Sequence, residues 1–177
     1  MGVDKTIYIV SGIPRTGTSV MMECLQAGGM ELFYEKINPD EFRRNPNGCF
    51  ELSSETVKSK GYLYDERFQG KVTKAMYRHL ISEKKPLAKD REYKIVFMMR
   101  DVESLKKSQD ACLQGHFPML DVPKKYGREM GEAIKFLNSK PNISCYGYVF
   151  HWLGHSGKSI VAFSQLRDAE GWPIDPE

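Results

Sequence analysis

The segment that most constrains this chain lies near its N-terminus, where residues 6–25 read TIYIVSGIPRTGTSVMMECL. An apolar, β-branched run predicts a buried strand, a loop punctuated by glycine and proline follows, and an amphipathic pattern then predicts a helix. The backbone N–H groups of such a loop, together with the positive end of the helix dipole, favour a bound anion. The segment therefore predicts an α/β fold with a phosphate-binding site after its first strand.

Length and charge limit the number of domains and the classes of partner that we expect for this chain. With 177 residues, of which 41% are hydrophobic and 28% charged, the chain suits one core, so we expect a single domain over residues 1–177. The net charge of +3 is mildly basic. It suits a small anionic ligand and falls short of the clustered positive charge typical of nucleic-acid binding, so no nucleic-acid partner is expected.

Cysteine spacing and hydropathy predict the compartment. The four cysteines form no CxxC pair and have no histidine at metal-ligand spacing, which predicts neither a disulfide framework nor a metal site. A reducing, cytoplasmic location is therefore expected. No signal peptide is recognisable before the first strand, and no apolar run approaches the roughly 20 residues that span a bilayer, so no membrane span is expected.

Apolar runs and helical patterns alternate along the chain. Three further buried strands are predicted at residues 71–76, 93–99 and 143–150, and helices are predicted before Gly28, after Asp101 and over residues 125–137. This alternation predicts a three-layer, P-loop NTPase-like fold, in which helices flank a central parallel sheet on both faces. Ligands in such folds bind at the carboxyl ends of the strands.

The loop between the first strand and the first helix lacks an expected lysine. It keeps the two glycines of a GxxxxGK(S/T) nucleotide loop, but Thr18 stands at the lysine position and the nearest cation is Arg15. A guanidinium can bind two anion oxygens at once, and Thr16 and Ser19 add hydroxyl donors. The alternative is an ordinary turn with a Ser or Thr helix cap.

The sequence Pro14-Arg-Thr-Gly-Thr-Ser19 resembles the phosphosulfate-binding loop of the sulfotransferases. Its arginine form is similar to the loop of tyrosylprotein sulfotransferases and of many bacterial relatives. The resemblance implies transfer of a sulfuryl group from 3′-phosphoadenosine 5′-phosphosulfate (PAPS) to a hydroxyl or amine, with 3′,5′-bisphosphoadenosine (PAP) as the product and no metal. The residues that it implies for the 5′-phosphosulfate are Pro14, Arg15, Thr16, Gly17, Thr18 and Ser19.

A second match follows the third predicted strand. Arg100 ends this strand and Ser108 comes eight residues later, as in the 3′-phosphate site of the same family. Because Ser108 lies about two turns into the predicted helix, it reaches a phosphate held by Arg100 only if the first turn bends back toward the strand. Taken alone, Arg100-Asp101 is also typical of a salt-bridged helix cap.

Two further segments supply candidates for the chemistry. Residues 70–76 are similar to the family's second core strand, which implies that Lys74 approaches the transferring group. Met76 stands where the family often has a general-base histidine, so His79 is the candidate replacement; the alternative for His79 is a solvated or core-packed side chain.

Residues 45–51 resemble the Asn-Pro-x-Gly-x-x-Glu segment of bacterial sulfotransferase relatives. This makes Glu51 a candidate general base, as a glutamate is in the tyrosylprotein branch. Glu35 and Glu41 are rivals for this role, and a solvent-facing carboxylate in a turn is the alternative for each of the three.

The resemblance covers roughly residues 6–137. Beyond the last predicted strand, residues 151–159 do not match the family's C-terminal nucleotide loop, and a Ser/Gly-rich helix start is expected there. Two irregular segments, 30–47 and 115–123, are expected to form the pocket for a small-molecule, glycan or peptide acceptor.

Two other functions fit the same fold. A small-molecule kinase or NTPase needs a loop lysine and a Mg²⁺-binding carboxylate at a strand end, for which Asp101 is the candidate. A non-catalytic nucleotide-binding module is favoured by the unmatched C-terminal segment and by methionine at position 76.

Overall fold

The computed structural model describes residues 5–35, 49–59, 63–82, 87–113 and 126–150, with side chains described outside residues 110–113 and 149–150. Three segments discussed above lie wholly or mostly outside these ranges. They are most of the irregular segment 30–47, with Glu41, and all of the segments 115–123 and 151–159. The elements are β1 (Ile7–Gly12), α1 (Thr18–Ala27), α2 (Ser54–Lys58), a 3-10 turn (Glu66–Phe68), β2 (Val72–Met76), α3 (Tyr77–Leu80), β3 (Tyr93–Arg100), α4 (Val102–Leu113), α5 (Tyr126–Asn138) and β4 (Ile143–Phe150).

The four described strands form one parallel sheet in the order β2-β1-β3-β4. Strand β1 is central: Tyr8 lies opposite Val72 of β2, and Ile7 lies opposite Tyr93 of β3. All six residues of β1 are buried, as expected for a strand covered on both faces. The predicted α/β fold with a parallel sheet flanked by helices is confirmed.

Alternate residues of β1 belong to two separate cores. Ile7 and Ile9 face a core that contains buried residues of α4 and α5, such as Leu105 and Met130. Tyr8 and Val10 face the opposite core, which contains Met21, Met22 and Leu25 of α1. Helices therefore cover both faces of the sheet and give three layers.

The strand order places a crevice beside the end of β1. From β1 the chain crosses to β2 on one side, whereas β3 lies on the other side, and helices α1 and α4 leave their strands on opposite faces. This is a topological switch point, the place where open parallel sheets bind ligands. The fold therefore directs attention to the loops that follow β1 and β3.

A side-chain amide joins α5 to β4. Asn138 Nδ2 donates to the carbonyl oxygen of Cys145 at 2.7 Å, and Asn138 Oδ1 accepts from the Cys145 N–H at 2.7 Å. The Cys145 thiol is buried, which raises its pKa to about 12. This bond pair lies at the opposite end of the sheet from the crevice, because Cys145 is opposite Ile95 near the start of β3.

Candidate functional site

The loop between β1 and α1 has an unusual backbone. Gly12, Arg15 and Gly17 all have positive φ, at 147°, 75° and 95°. A Cβ added at Gly12 would lie 2.6 Å from the Met98 carbonyl oxygen and 2.7 Å from Thr16 Oγ1, so only glycine fits there. Gly17 precedes α1, whose first turn contains no acidic residue. The N–H groups of this turn and the helix dipole therefore favour an anion.

Residues 13–16 form a β-turn. The Thr16 N–H donates to the Ile13 carbonyl at 3.4 Å, and Thr16 Oγ1 donates to the same oxygen at 2.8 Å. Proline in the second position and a positive φ in the third are the features of a type II turn. Glycine or asparagine normally occupies the third position of that turn, and here it is Arg15.

Side chains from β3 and α4 contact this turn. Arg15 Nε donates to Ser108 Oγ at 3.1 Å, and Arg100 Nη1 donates to the Arg15 carbonyl at 3.2 Å. Gln109 Nε2 donates to the Pro14 carbonyl at 3.2 Å. The structure thus brings together Arg15, Arg100 and Ser108, three of the residues that the sequence predicts for the two anionic ends of the donor.

Helix α4 begins as its sequence suggests. Asp101 Oδ1 accepts from the Ser104 N–H at 2.8 Å, which lowers the pKa of the exposed Asp101 carboxyl. This cap leaves the Arg100 side chain directed at the loop after β1. Ser108, one turn further along α4 than Ser104, faces the same loop.

Lys74 connects the loop to a second segment. Its side chain is only 9% exposed, and Nζ lies 3.3 Å from Ser19 Oγ on α1 and 2.5 Å from Glu51 Oε1. The ammonium also donates to the carbonyl oxygen of Cys49. Phe50, between these two contacts, has a φ of 52° and a buried ring. The sequence-predicted Lys74 and Glu51 are therefore in direct contact beside Ser19.

The two other described candidates for a base lie elsewhere. His79 is half-buried on α3, in the turn after β2 whose other side chains include the buried Tyr77 and Leu80. Glu35 receives hydrogen bonds from the Ser53 N–H at 2.7 Å and from Thr56 Oγ1 at 2.8 Å, and so holds the start of α2. These bonds, above all those from Ser53, lower the pKa of the Glu35 carboxyl.

Glu35→Gln is expected to remove an acid-sensitive part of the stability. Because the folded-state pKa of Glu35 is below its unfolded value, the contribution is fully present above about pH 4.3 and is lost as the pH falls through the folded-state pKa. We expect E35Q to cost about 1 kcal/mol at pH 7, with a smaller difference from wild type at pH 3. Urea unfolding at both pH values measures this, with the exposed Glu92→Gln as control. An equal difference at both values contradicts it.

Sequence reasoning missed two contributors to the site. Gln109 is 4% exposed, and its contact with Pro14 joins positions far apart in the chain. The backbone carbonyl of Cys49 accepts a hydrogen bond from Lys74, and any residue type at position 49 would offer the same carbonyl. Of the two, only Gln109 could have been suspected from the sequence, because it is a polar residue on the same side of α4 as the buried Leu105.

Within the described ranges, no helix has the length and apolar character needed to cross a bilayer. Nor does that part of the chain hold a group of three or more His, Cys, Asp or Glu side chains that could share a metal ion.

Comparisons with known proteins assign the chain to no family. No family model matches the chain, and no curated protein matches it. The chain is similar to the unliganded crystal structure of a sugar kinase from a Janibacter species, with a TM-score of 0.44, 9% sequence identity and 93% of each chain covered.

Proposed function

We propose that the protein is a sulfotransferase that uses PAPS and an acceptor hydroxyl or amine. The observation that carries this proposal is the set of hydrogen bonds that link the loop after β1 to the end of β3 and to α4. Arg15 binds Ser108, and Arg100 binds the Arg15 backbone, at the carboxyl ends of the two central strands. A donor with anionic groups at both its 5′ and 3′ positions suits a site that offers one guanidinium from the loop and one from the end of the neighbouring strand.

The proposed roles follow from these positions. Arg15, with the backbone and hydroxyl groups of residues 16–19, holds the 5′-phosphosulfate at the start of α1. Arg100 and Ser108 hold the 3′-phosphate. Lys74, beside Ser19, neutralises the charge that develops on the leaving oxygen.

The reaction is an in-line displacement at sulfur. The bond between sulfur and the 5′-phosphate oxygen breaks, a bond to the acceptor oxygen or nitrogen forms, and PAP leaves with the electron pair of the broken bond. The acceptor proton passes to a general base, for which Glu51 is the candidate nearest to Lys74. His79, in the turn after β2, is the second candidate.

The Lys74–Glu51 ion pair would link donor binding to the availability of the base. The Lys74 ammonium is paired with the Glu51 carboxylate. A bound phosphosulfate would compete for that ammonium and so free the Glu51 carboxylate beside it. Donor binding thereby makes a base available only when there is a group to transfer.

Phosphoryl transfer is the second candidate function. The strand-loop-helix unit is common to both chemistries, and Lys74 places an ammonium 3.3 Å from Ser19 Oγ, although position 18 carries no lysine. The Asp101 carboxylate, the sequence's candidate for binding Mg²⁺, instead caps α4. This observation favours the sulfuryl donor.

Calorimetric binding of PAP, AMP and Mg·ATP tests the choice. We expect PAP to bind at least tenfold more tightly than AMP, since the 3′-phosphate adds charge-assisted hydrogen bonds. Ser108→Ala should reduce this preference, whereas Ser104→Ala, on the same helix but in contact with Asp101, should preserve it.

Three other outcomes separate the alternatives. Equal affinity for PAP and AMP contradicts the proposed 3′-phosphate site. Mg·ATP as the tightest ligand favours phosphoryl transfer. Tight PAP binding without product from PAPS and a panel of phenol, alcohol, amine and sugar acceptors supports a non-catalytic binding module.

A further inference from the structure

The β-turn over residues 13–16 has the type II form, which its third residue, Arg15, disfavours. Arg15 has a φ of 75°, a backbone conformation that costs a residue with a Cβ about 1 kcal/mol or more. Rotation of the Pro14–Arg15 peptide by about 180° converts a type II turn into a type I turn and brings φ of the third residue to its ordinary negative value. Proline in the second position is compatible with both forms. Another interaction must therefore hold the observed form.

That interaction comes from α4. Gln109 Nε2 donates to the Pro14 carbonyl, which is the oxygen of the peptide that would rotate. The Gln109 side chain is buried, so loss of this hydrogen bond would leave its amide without contact with bulk water. Arg100 and Thr16 bond the neighbouring carbonyls of Arg15 and Ile13, and neither bond fixes the Pro14–Arg15 peptide itself.

The orientation of this peptide decides what the turn presents to an anion. In a trans peptide the C=O and N–H groups point in opposite directions. With the Pro14 carbonyl bound to Gln109, the Arg15 N–H points away from α4. Rotation would exchange the two groups and put the Pro14 carbonyl dipole where the Arg15 N–H now points.

We propose that Gln109 is a positioning residue that selects the type II form of the Pro14–Arg15 turn and so keeps the loop in its anion-binding conformation before any ligand is bound. In this proposal it acts through the Pro14–Arg15 peptide and not through a contact with donor or acceptor. The proposal rests on the proposed function only for the choice of PAP as a ligand. The conformational effect belongs to the free protein.

A double-mutant cycle tests this role. Glycine at position 15 adopts positive φ without strain, so Arg15→Gly should make the type II form independent of Gln109. Hydrogen–deuterium exchange of a peptide covering residues 13–19 is measured on four ligand-free proteins: wild type, Q109M, R15G and R15G/Q109M. We expect Q109M to increase exchange severalfold in the wild-type background and to have little effect in R15G.

Affinity and stability provide the other readouts. Q109M should weaken PAP binding about 3- to 10-fold, the range expected for loss of one hydrogen bond, and Q109E, which keeps the length of the side chain but lacks the NH₂ group, should weaken it at least as much. Asn138→Leu removes a comparable amide-to-carbonyl bond far from the loop and should lower the melting temperature without changing exchange or affinity.

Two results would overturn the proposal. One is loop exchange in Q109M equal to that in wild type. The other is an equal effect of Q109M in both backgrounds, which would show a general packing role. Failure of wild-type protein to prefer PAP over AMP would contradict the sulfotransferase proposal alone, because the exchange cycle uses no nucleotide.

Discussion

Gly12→Ala is expected to lower the free energy of unfolding by about 3 kcal/mol or more, the largest single effect on stability that we anticipate. The new Cβ would lie 2.6 Å from the carbonyl oxygen of Met98, a backbone atom of the paired strand β3, and φ at this position is 147°. Neither problem is relieved by a side-chain rotation. Urea unfolding gives the free energy directly, and the melting temperature should fall by roughly 6 to 12 °C.

Gly131→Ala is the matched control. Gly131 lies inside α5, and a Cβ there meets nothing within 4 Å. Alanine is the better helix former, so this variant should gain about 0.5 to 1 kcal/mol. If G12A unfolds like wild type, the end of β1 does not approach β3 as closely as the structure shows.

Arg15→Ala should produce the largest loss of ligand affinity. Loss of a charged donor at the proposed anion site should cost about 2 to 3 kcal/mol, so PAP binding should weaken roughly 30- to 150-fold. Arg15→Gly removes the same guanidinium, but glycine tolerates the positive φ. R15G should therefore bind PAP as weakly as R15A does, and its free energy of unfolding should be about 1 kcal/mol higher than that of R15A. Calorimetry and urea unfolding of the two variants separate the two roles of this residue.

The control for charge alone is Arg67→Ala. Arg67 is exposed on the 3-10 turn, where it pairs with Asp65 at 2.9 Å. It carries the same charge and should leave PAP affinity within twofold of wild type. PAP affinity in R15A equal to that in R67A would contradict the assignment of Arg15 to the phosphosulfate.

Much of the fold was predictable because it depends on local patterns. The run at residues 143–150 was predicted with the observed bounds, and Asp101 marked the start of α4, since strand periodicity and helix caps are local signals. The predicted strand at 93–99 extends by one residue, to Arg100, because pairing with Phe150 continues the ladder. Such end effects depend on the neighbouring strand and not on the segment itself.

The site was predictable only as far as it repeats a known motif. Residue types indicated Arg15, Arg100 and Ser108, but not that Arg15 binds Ser108 directly. The Lys74–Glu51 contact and the Gln109–Pro14 bond join residues distant in sequence through side-chain packing. The partners in such contacts depend on how loops and helices pack against the sheet, and local sequence patterns do not identify them.

The central position of β1 has a consequence for synthesis of the chain. β1 leaves the ribosome before the other strands, yet its partners begin at Val72 and Tyr93. Because a parallel strand cannot pair with its sequence neighbour through a tight turn, this apolar strand stays without its sheet partners while much of the chain is translated. We expect nascent chains that end before β3 to depend on chaperones. We also expect folding from denaturant to be slow for a chain of this length.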